Sequence, residues 1–141
     1  MIMIIIIDFE RRSQMEKCLK KSKQRDAIMN LLKSVKCHPT AEWIYTNLKP
    51  DFPNISLATV YRNLNLLCEL GEAIKIEVGD GTVRYDGDIK DHYHFLCTNC
   101  KEVTDINGGR FDIDSDIESR HNVKVDYHSV VFYGSCGKCR P

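Results

Sequence analysis

His92-Tyr93-His94 and Cys97-Thr98-Asn99-Cys100 place two imidazoles and two thiols within nine residues. A second Cys-x-x-Cys, Cys136 to Cys139, follows after 35 intervening residues. Two residues between thiols make a knuckle turn that lets both sulfurs meet one tetrahedral ion, and two such pairs complete a four-sulfur zinc site. Four unconnected buried or redox cysteines are the bland alternative, which the doubled spacing disfavours. Iron in a rubredoxin-like site, as part of a small redox protein, is a rival; the hairpins that would surround such a site are not evident in the sequence.

With four thiols satisfied, the two histidines are available for a second metal. On a strand, residues i and i+2 share a face, so His92 and His94 can reach one ion. A lone histidine is more often a core or surface residue, but this pair adjoins a metal knuckle. Two ligands do not make a tight site, and His38, Asp86, Asp91, Asp105, His121 and His128 are candidates for the rest. Asp112-x-Asp114-x-Asp116 lacks the glycine and glutamate of a calcium loop, with Ile117 and Val123 in their places, so these acids read as N-terminal charges of a helix. There is no Ser-His-Asp set, deaminase pattern or Gly-rich phosphate loop, and an enzyme is not expected.

The elements that carry these residues follow from periodicity. Ala27, Ile28, Leu31, Leu32 and Val35 recur at helical spacing over 24–35, and Cys37-His38-Pro39 ends that helix. Thr40 caps a helix over 41–48 with Trp43, Ile44 and Leu48 inward. Ser56 caps a third helix running to about Leu70, and Gly71 stops it. Its Leu57, Val60, Leu64, Leu67 and Cys68 share one face, and Thr59, Arg62, Asn63 and Asn65 fall largely on the other. Tyr61 borders both. Alternating residues around Gly79-Asp80-Gly81 predict a hairpin. Three helices and a hairpin are the plan of a winged helix-turn-helix, whose last helix enters the major groove.

Past Asp86 the pattern predicts a small α/β domain, with strands over 93–96, 103–106 and 123–133 and a helix over 111–121. The expected fold class is therefore α+β. A winged-helix DNA-binding domain spans 1–86, with 1–16 an unplaced extension or helix; residues 87–91 form a hinge, and 92–141 form the second domain.

The 141 residues carry no net charge, but residues 17–36 hold +6 and those from Asp86 onward −3. A basic front can dock on phosphate, although a solvated lysine-rich helix face has the same composition. The opening Ile-rich run of seven residues is far short of the roughly 20 that span a bilayer, and it lacks the flanks of a secretory signal. Seven cysteines without such a signal imply reduced thiols and a cytoplasmic protein; Cys18, Cys37 and Cys68 lie outside any motif.

Read together, these segments resemble the ferric uptake regulator family. The resemblance rests on Ser22-Lys23-Gln24-Arg25, His38-Pro39-Thr40-Ala41 with Ile44-Tyr45, and Ser56 to Leu64. It continues through Arg84-Tyr85-Asp86, His92-Tyr93-His94-Phe95-x-Cys97-x-x-Cys100 and Tyr133-Gly134-x-Cys136-x-x-Cys139. It implies a homodimeric, metal-dependent repressor of double-stranded DNA whose second domain dimerises. Cys97, Cys100, Cys136 and Cys139 correspond to its structural zinc site. His38, Asp86, His92, His94 and Asp105 correspond to its regulatory site, a donor set that suits Fe²⁺ or Mn²⁺. Asp at both 86 and 105 is the pattern of the peroxide-sensing, PerR-like branch, in which histidines matching His38 and His92 are oxidised by hydrogen peroxide. Iron- and zinc-uptake members generally carry Glu there, and such a regulator is the alternative. Lys20, Thr59, Tyr61, Arg62 and Asn63 are the expected DNA contacts. Arg62 stands where some peroxide sensors carry Asn. His121 and His128 are open candidates for a further metal site.

Overall fold

The computed structural model describes residues 19–79, 81–107 and 112–141. The N-terminal extension, Cys18, Asp80 and Phe111 lie outside the described residues. The chain divides into two compact units, with the break between Ile89 and Lys90.

The first unit holds α1 (Lys23–Ser34), α2 (Ala41–Leu48) and α3 (Leu57–Glu69), then an antiparallel hairpin of β1 (Ile74–Glu77) and β2 (Val83–Asp86). Each helix starts where a hydroxyl can accept a backbone N–H that the helix leaves unpaired. Ser22 accepts from Arg25 at 3.3 Å, Thr40 from Trp43 at 3.2 Å and Ser56 from Thr59 at 3.1 Å. Each cap stabilises its helix by about 1 kcal/mol. Gly71 ends the α3 segment at φ 68, a left-handed conformation that glycine adopts without a Cβ clash. Ile28 and Leu32 of α1, Ile44 of α2, Val60, Leu64 and Leu67 of α3 and Tyr85 of β2 fill one core.

Trp43, expected inward, is 37% exposed. The helical period selects Ala41, Ile44 and Leu48 for the core, and Trp43 lies one residue off that stripe.

In the second unit a three-stranded sheet has the order β4-β3-β5. β3 (Tyr93–Cys97) pairs antiparallel with β4 (Val103–Ile106) and parallel with β5 (Val131–Gly134). A parallel pair needs a crossover, and α4 (Ile113–His121) lies within it. Asp112 caps α4 by accepting from the Ser115 N–H at 3.3 Å, and Asp114 and Asp116 lie in its first turn, where a helix favours negative charge. The expected long strand over 123–133 is cut to Val131–Gly134, because β3 offers partners only from His94 to Cys97. Among the described residues of this unit few apolar side chains are buried, chiefly Tyr93, Leu96, Cys97 and Val103. Among the described residues no helix is long and apolar enough to cross a membrane.

Gly87 follows Asp86 directly and lies against α1. A Cβ there would sit 3.1 Å from the Leu32 carbonyl carbon and 3.2 Å from its Cβ. The Gly87→Ala variant is expected to lose about 1–3 kcal/mol, the usual effect of overpacking. Denaturant unfolding of the full chain checks this.

Candidate metal centres and recognition helix

Parallel pairing sets the thiol cluster. It matches Cys97 with Gly134, so the end of β3 lies beside the turn that carries Cys136. Each knuckle is closed by backbone: the Lys101 N–H donates to the Cys97 carbonyl at 2.9 Å, and the Cys139 N–H to the Cys136 carbonyl at 2.9 Å. All four sulfurs lie within 4.8 Å of one another. Cys100 and Cys136 are 3.8 Å apart. Zinc–sulfur bonds of about 2.3 Å in a tetrahedron put the sulfurs about 3.8 Å apart, so the cluster fits that ion.

The electrostatics point the same way. N–H groups of Cys100 and Cys136 aim at the Cys97 sulfur, the latter at 3.4 Å, and pull its pKa down to about 6. Neighbouring sulfurs of Cys136 and Cys100 push Cys139 up to about 12. One thiolate is thus ready at neutral pH, and further negative charge is resisted until a cation neutralises it.

The histidines and carboxylates form two sets, one in each unit. In the first unit, the His38 Nε2 lies 3.2 Å from the Asp86 Oδ2, and both side chains are buried. The Tyr85 N–H donates to the Pro39 carbonyl at 3.0 Å, tying the His38 segment to β2. The Asp86 Oδ1 accepts from the Asp88 N–H at 2.8 Å, which fixes the carboxylate.

In the second unit, strand register places His94 opposite Asp105. The Asp105 Oδ1 lies 3.1 Å from the His92 Nε2 and 3.5 Å from the His94 Nε2. The two rings meet edge-on with centroids 4.6 Å apart. His92 Nδ1 lies 2.6 Å from the Lys90 carbonyl, which can only accept, so Nδ1 carries a proton. In the neutral ring Nε2 is then a lone pair facing a carboxylate oxygen, a repulsive contact that a cation between them relieves. The donor set therefore fits a metal on its own geometry.

Other candidates are not brought to these groups. Asp91 and His121 are exposed and belong to neither cluster. His128 lies outside the strands, with Nδ1 2.5 Å from the Asp114 Oδ1 and Nε2 3.1 Å from the Tyr93 hydroxyl. Asp114 was legible only as a helix charge, because its pairing with His128 depends on how α4 lies on the sheet.

On α3, Arg62 is exposed, as are Ala58 and Asn65, while Thr59 is half-buried. Lys20 is exposed ahead of α1. Asn63, expected on the outer face, is 8% exposed, and its side-chain N–H donates to the Thr59 carbonyl at 2.9 Å. It lies beside Val60, Leu64 and Leu67 on the buried side, so it is structural here. Tyr61 packs its ring against the core, and its hydroxyl donates to the Glu42 Oε1 at 2.6 Å. Glu42 was not among the expected functional residues. It lies 19 positions from Tyr61, and only the packing of α2 on α3 brings the two together.

Three capped helices with a hairpin, followed by a small α/β unit, define a winged helix-turn-helix regulator with a separate C-terminal domain. The model of the ferric uptake regulator family matches residues 16–133, and the chain belongs to that family, whose members are transcriptional regulators rather than enzymes. The chain is 36% identical over 118 residues to the peroxide-responsive repressor PerR of Staphylococcus aureus, covering 83% of this chain and 80% of that protein. The Campylobacter jejuni peroxide stress regulator superposes with a TM-score of 0.73 at 31% identity, covering 94% of this chain and all of that one. The Helicobacter pylori ferric uptake regulator superposes at 0.77 with 25% identity, covering 92% and 88%.

The thiol electrostatics make a testable pH profile. In zinc-free, reduced protein, thiolate absorbance in the ultraviolet should rise through about pH 6 as Cys97 ionises, with Cys139 still protonated well above pH 9. The sign follows for the metal: protons compete for the sulfurs, so zinc should be released as pH falls and retained as it rises.

Proposed function

We propose that the chain is a homodimeric, metal-dependent repressor that binds double-stranded operator DNA and lets go of it in response to hydrogen peroxide. The observation that carries this reading is the carboxylate chemistry. Asp105 shares one oxygen between the His92 and His94 imidazoles, and Asp86 holds His38. Both carboxylates are Asp, the pairing that marks the peroxide-sensing branch, and a curated relative at 36% identity is a peroxide-responsive repressor.

In this reading zinc sits permanently on Cys97, Cys100, Cys136 and Cys139. Fe²⁺ or Mn²⁺ is held by His38, Asp86, His92, His94 and Asp105. Three nitrogens and two carboxylates suit either ion. Ferrous iron, when bound, supplies the reduction of hydrogen peroxide that inserts one oxygen into a nearby imidazole, with water as the other product. His38 and His92 are the rings that take it. An oxidised ring is a poorer donor, so the set loses its hold.

Coupling to DNA follows from where the ligands reside. His38 and Asp86 belong to the first unit and the other three to the second. A ligand set drawn from both units favours the arrangement in which they meet, and DNA that prefers this arrangement must tighten the metal by the same factor. Lys20, Thr59, Tyr61 and Arg62 face the DNA, with Arg62 entering the major groove.

Dimerisation uses the second unit. α4 buries none of its residues within the chain, and Ile113 and Ile117, one turn apart on it, are each 37% exposed. Tyr127, Phe132 and Tyr133 add further exposed apolar surface in that unit. A second copy is the occupant that fits a self-complementary repressor. Reduced thiols fit a cytoplasmic location.

An iron- or zinc-uptake regulator is the second reading, favoured by Arg62 beside Tyr61, a pairing widespread outside the peroxide branch. The two are separable. Iron-loaded protein treated with peroxide should gain about 16 Da on the peptide carrying His38 or His92 and release DNA, and manganese-loaded protein should do neither. Unmodified peptides with DNA still bound would leave the uptake regulator standing. Separately, Ile117→Glu should convert a dimer to a monomer in sedimentation runs; a dimer that survives it would move the interface elsewhere.

A further inference from the structure

Tyr61 occupies an unusual place on α3. Leu57 and Leu64, four before and three after it, belong to the apolar side; Ala58 and Asn65, three before and four after it, are exposed. Its ring therefore lies on the border between core and outer face, next to Arg62. Two contacts hold it: the ring against the core and the hydroxyl on Glu42. Glu42 is itself fixed in the first turn of α2, whose N-cap is Thr40.

The direction of that hydrogen bond decides what Tyr61 can read. A carboxylate has no proton to give, so the phenol donates. At 2.6 Å the bond is short and charge-assisted. The bond shifts both partners consistently: it holds the Glu42 carboxyl below its usual range and the Tyr61 phenol above its own. A phenol whose proton is committed has only lone pairs left to offer.

We propose that Glu42 is a specificity-determining residue for DNA reading: by accepting the Tyr61 hydrogen bond it leaves that hydroxyl only as an acceptor. Phosphate oxygens, guanine O6 and thymine O4 are acceptors and gain nothing from it. The exocyclic amino groups of adenine and cytosine are donors in the major groove and match it. An uncommitted tyrosine would donate to phosphate anywhere along the duplex, which adds affinity without sequence information. The exposed negative charge of Glu42 further disfavours phosphate at that spot. The inference rests on α3 being the DNA-reading helix.

The test uses full-length protein loaded with zinc and manganese, and the tightest duplex it selects from a randomised library. One position should require adenine or cytosine. If it is adenine, replacing that base with purine, which lacks the amino group, should weaken wild-type binding roughly three- to ten-fold, the worth of one modest hydrogen bond. For cytosine, a pyrimidinone lacking the amino group serves. Glu42→Ala and Tyr61→Phe should each lose this discrimination, and the double variant should lose no more than either alone. Binding of Glu42→Ala to a scrambled duplex should tighten. Tyr61→Phe keeps the ring packing, so it tests the hydroxyl even if Glu42→Ala unfolds.

If Tyr61→Phe loses the discrimination while folded Glu42→Ala keeps it, the role of Glu42 is overturned and the DNA reading of α3 stands. If Tyr61→Phe discriminates like the wild type, the hydroxyl reads no base and the inference also falls. If Arg62→Ala is then equally indifferent on every duplex, α3 is not the reading helix and the larger proposal fails with it.

Discussion

Electron-pair donors crowded together repel one another, and the second unit of this chain is organised around that strain. Four sulfurs within 4.8 Å cannot all ionise unaided, and Cys139 holds its proton because Cys136 and Cys100 are so near. In the neutral ring, with Nδ1 protonated, the His92 lone pair faces a carboxylate oxygen 3.1 Å away. A divalent cation converts each repulsion into a bond, so the metal is part of the folding free energy and not an addition to it.

The two sets differ in what surrounds them. The thiols belong to one unit, held by a parallel strand pair and two backbone-closed knuckles. Losing an ion there costs the second unit its principal clip, since few of its apolar side chains are buried. His38 and Asp86 belong to the first unit and His92, His94 and Asp105 to the second; on the proposed function, an ion drawn from both can leave without either core opening. Placement, more than ligand chemistry, separates a staple from a latch.

Much of this was legible in residue types and spacing. Ser22, Thr40 and Ser56 announce the helix starts, because a cap is local chemistry written within four residues. The doubled Cys-x-x-Cys states its own geometry for the same reason. What was not legible depends on packing between distant segments. Asn63 and Trp43 each lie one position off the apolar stripe, where helical phase alone leaves the side ambiguous. The long strand expected over 123–133 has the right composition, but its length is set by how many partners β3 presents. The Tyr61–Glu42 bond joins two helices and leaves no pattern in either.

The parallel pairing of β3 with β5 also governs how the chain folds. The first unit is assembled entirely from residues up to Ile89, so all its partners are made before the second Cys-x-x-Cys is. The second unit cannot bring Cys136 to Cys97 until 39 residues of chain have been looped back, an entropy cost that is met before any metal bond rewards it. During synthesis, the winged helix can be complete while the zinc cluster still lacks half its ligands. Through that interval the two thiols of one knuckle wait for the other pair, and an ion met then finds only half of its tetrahedron.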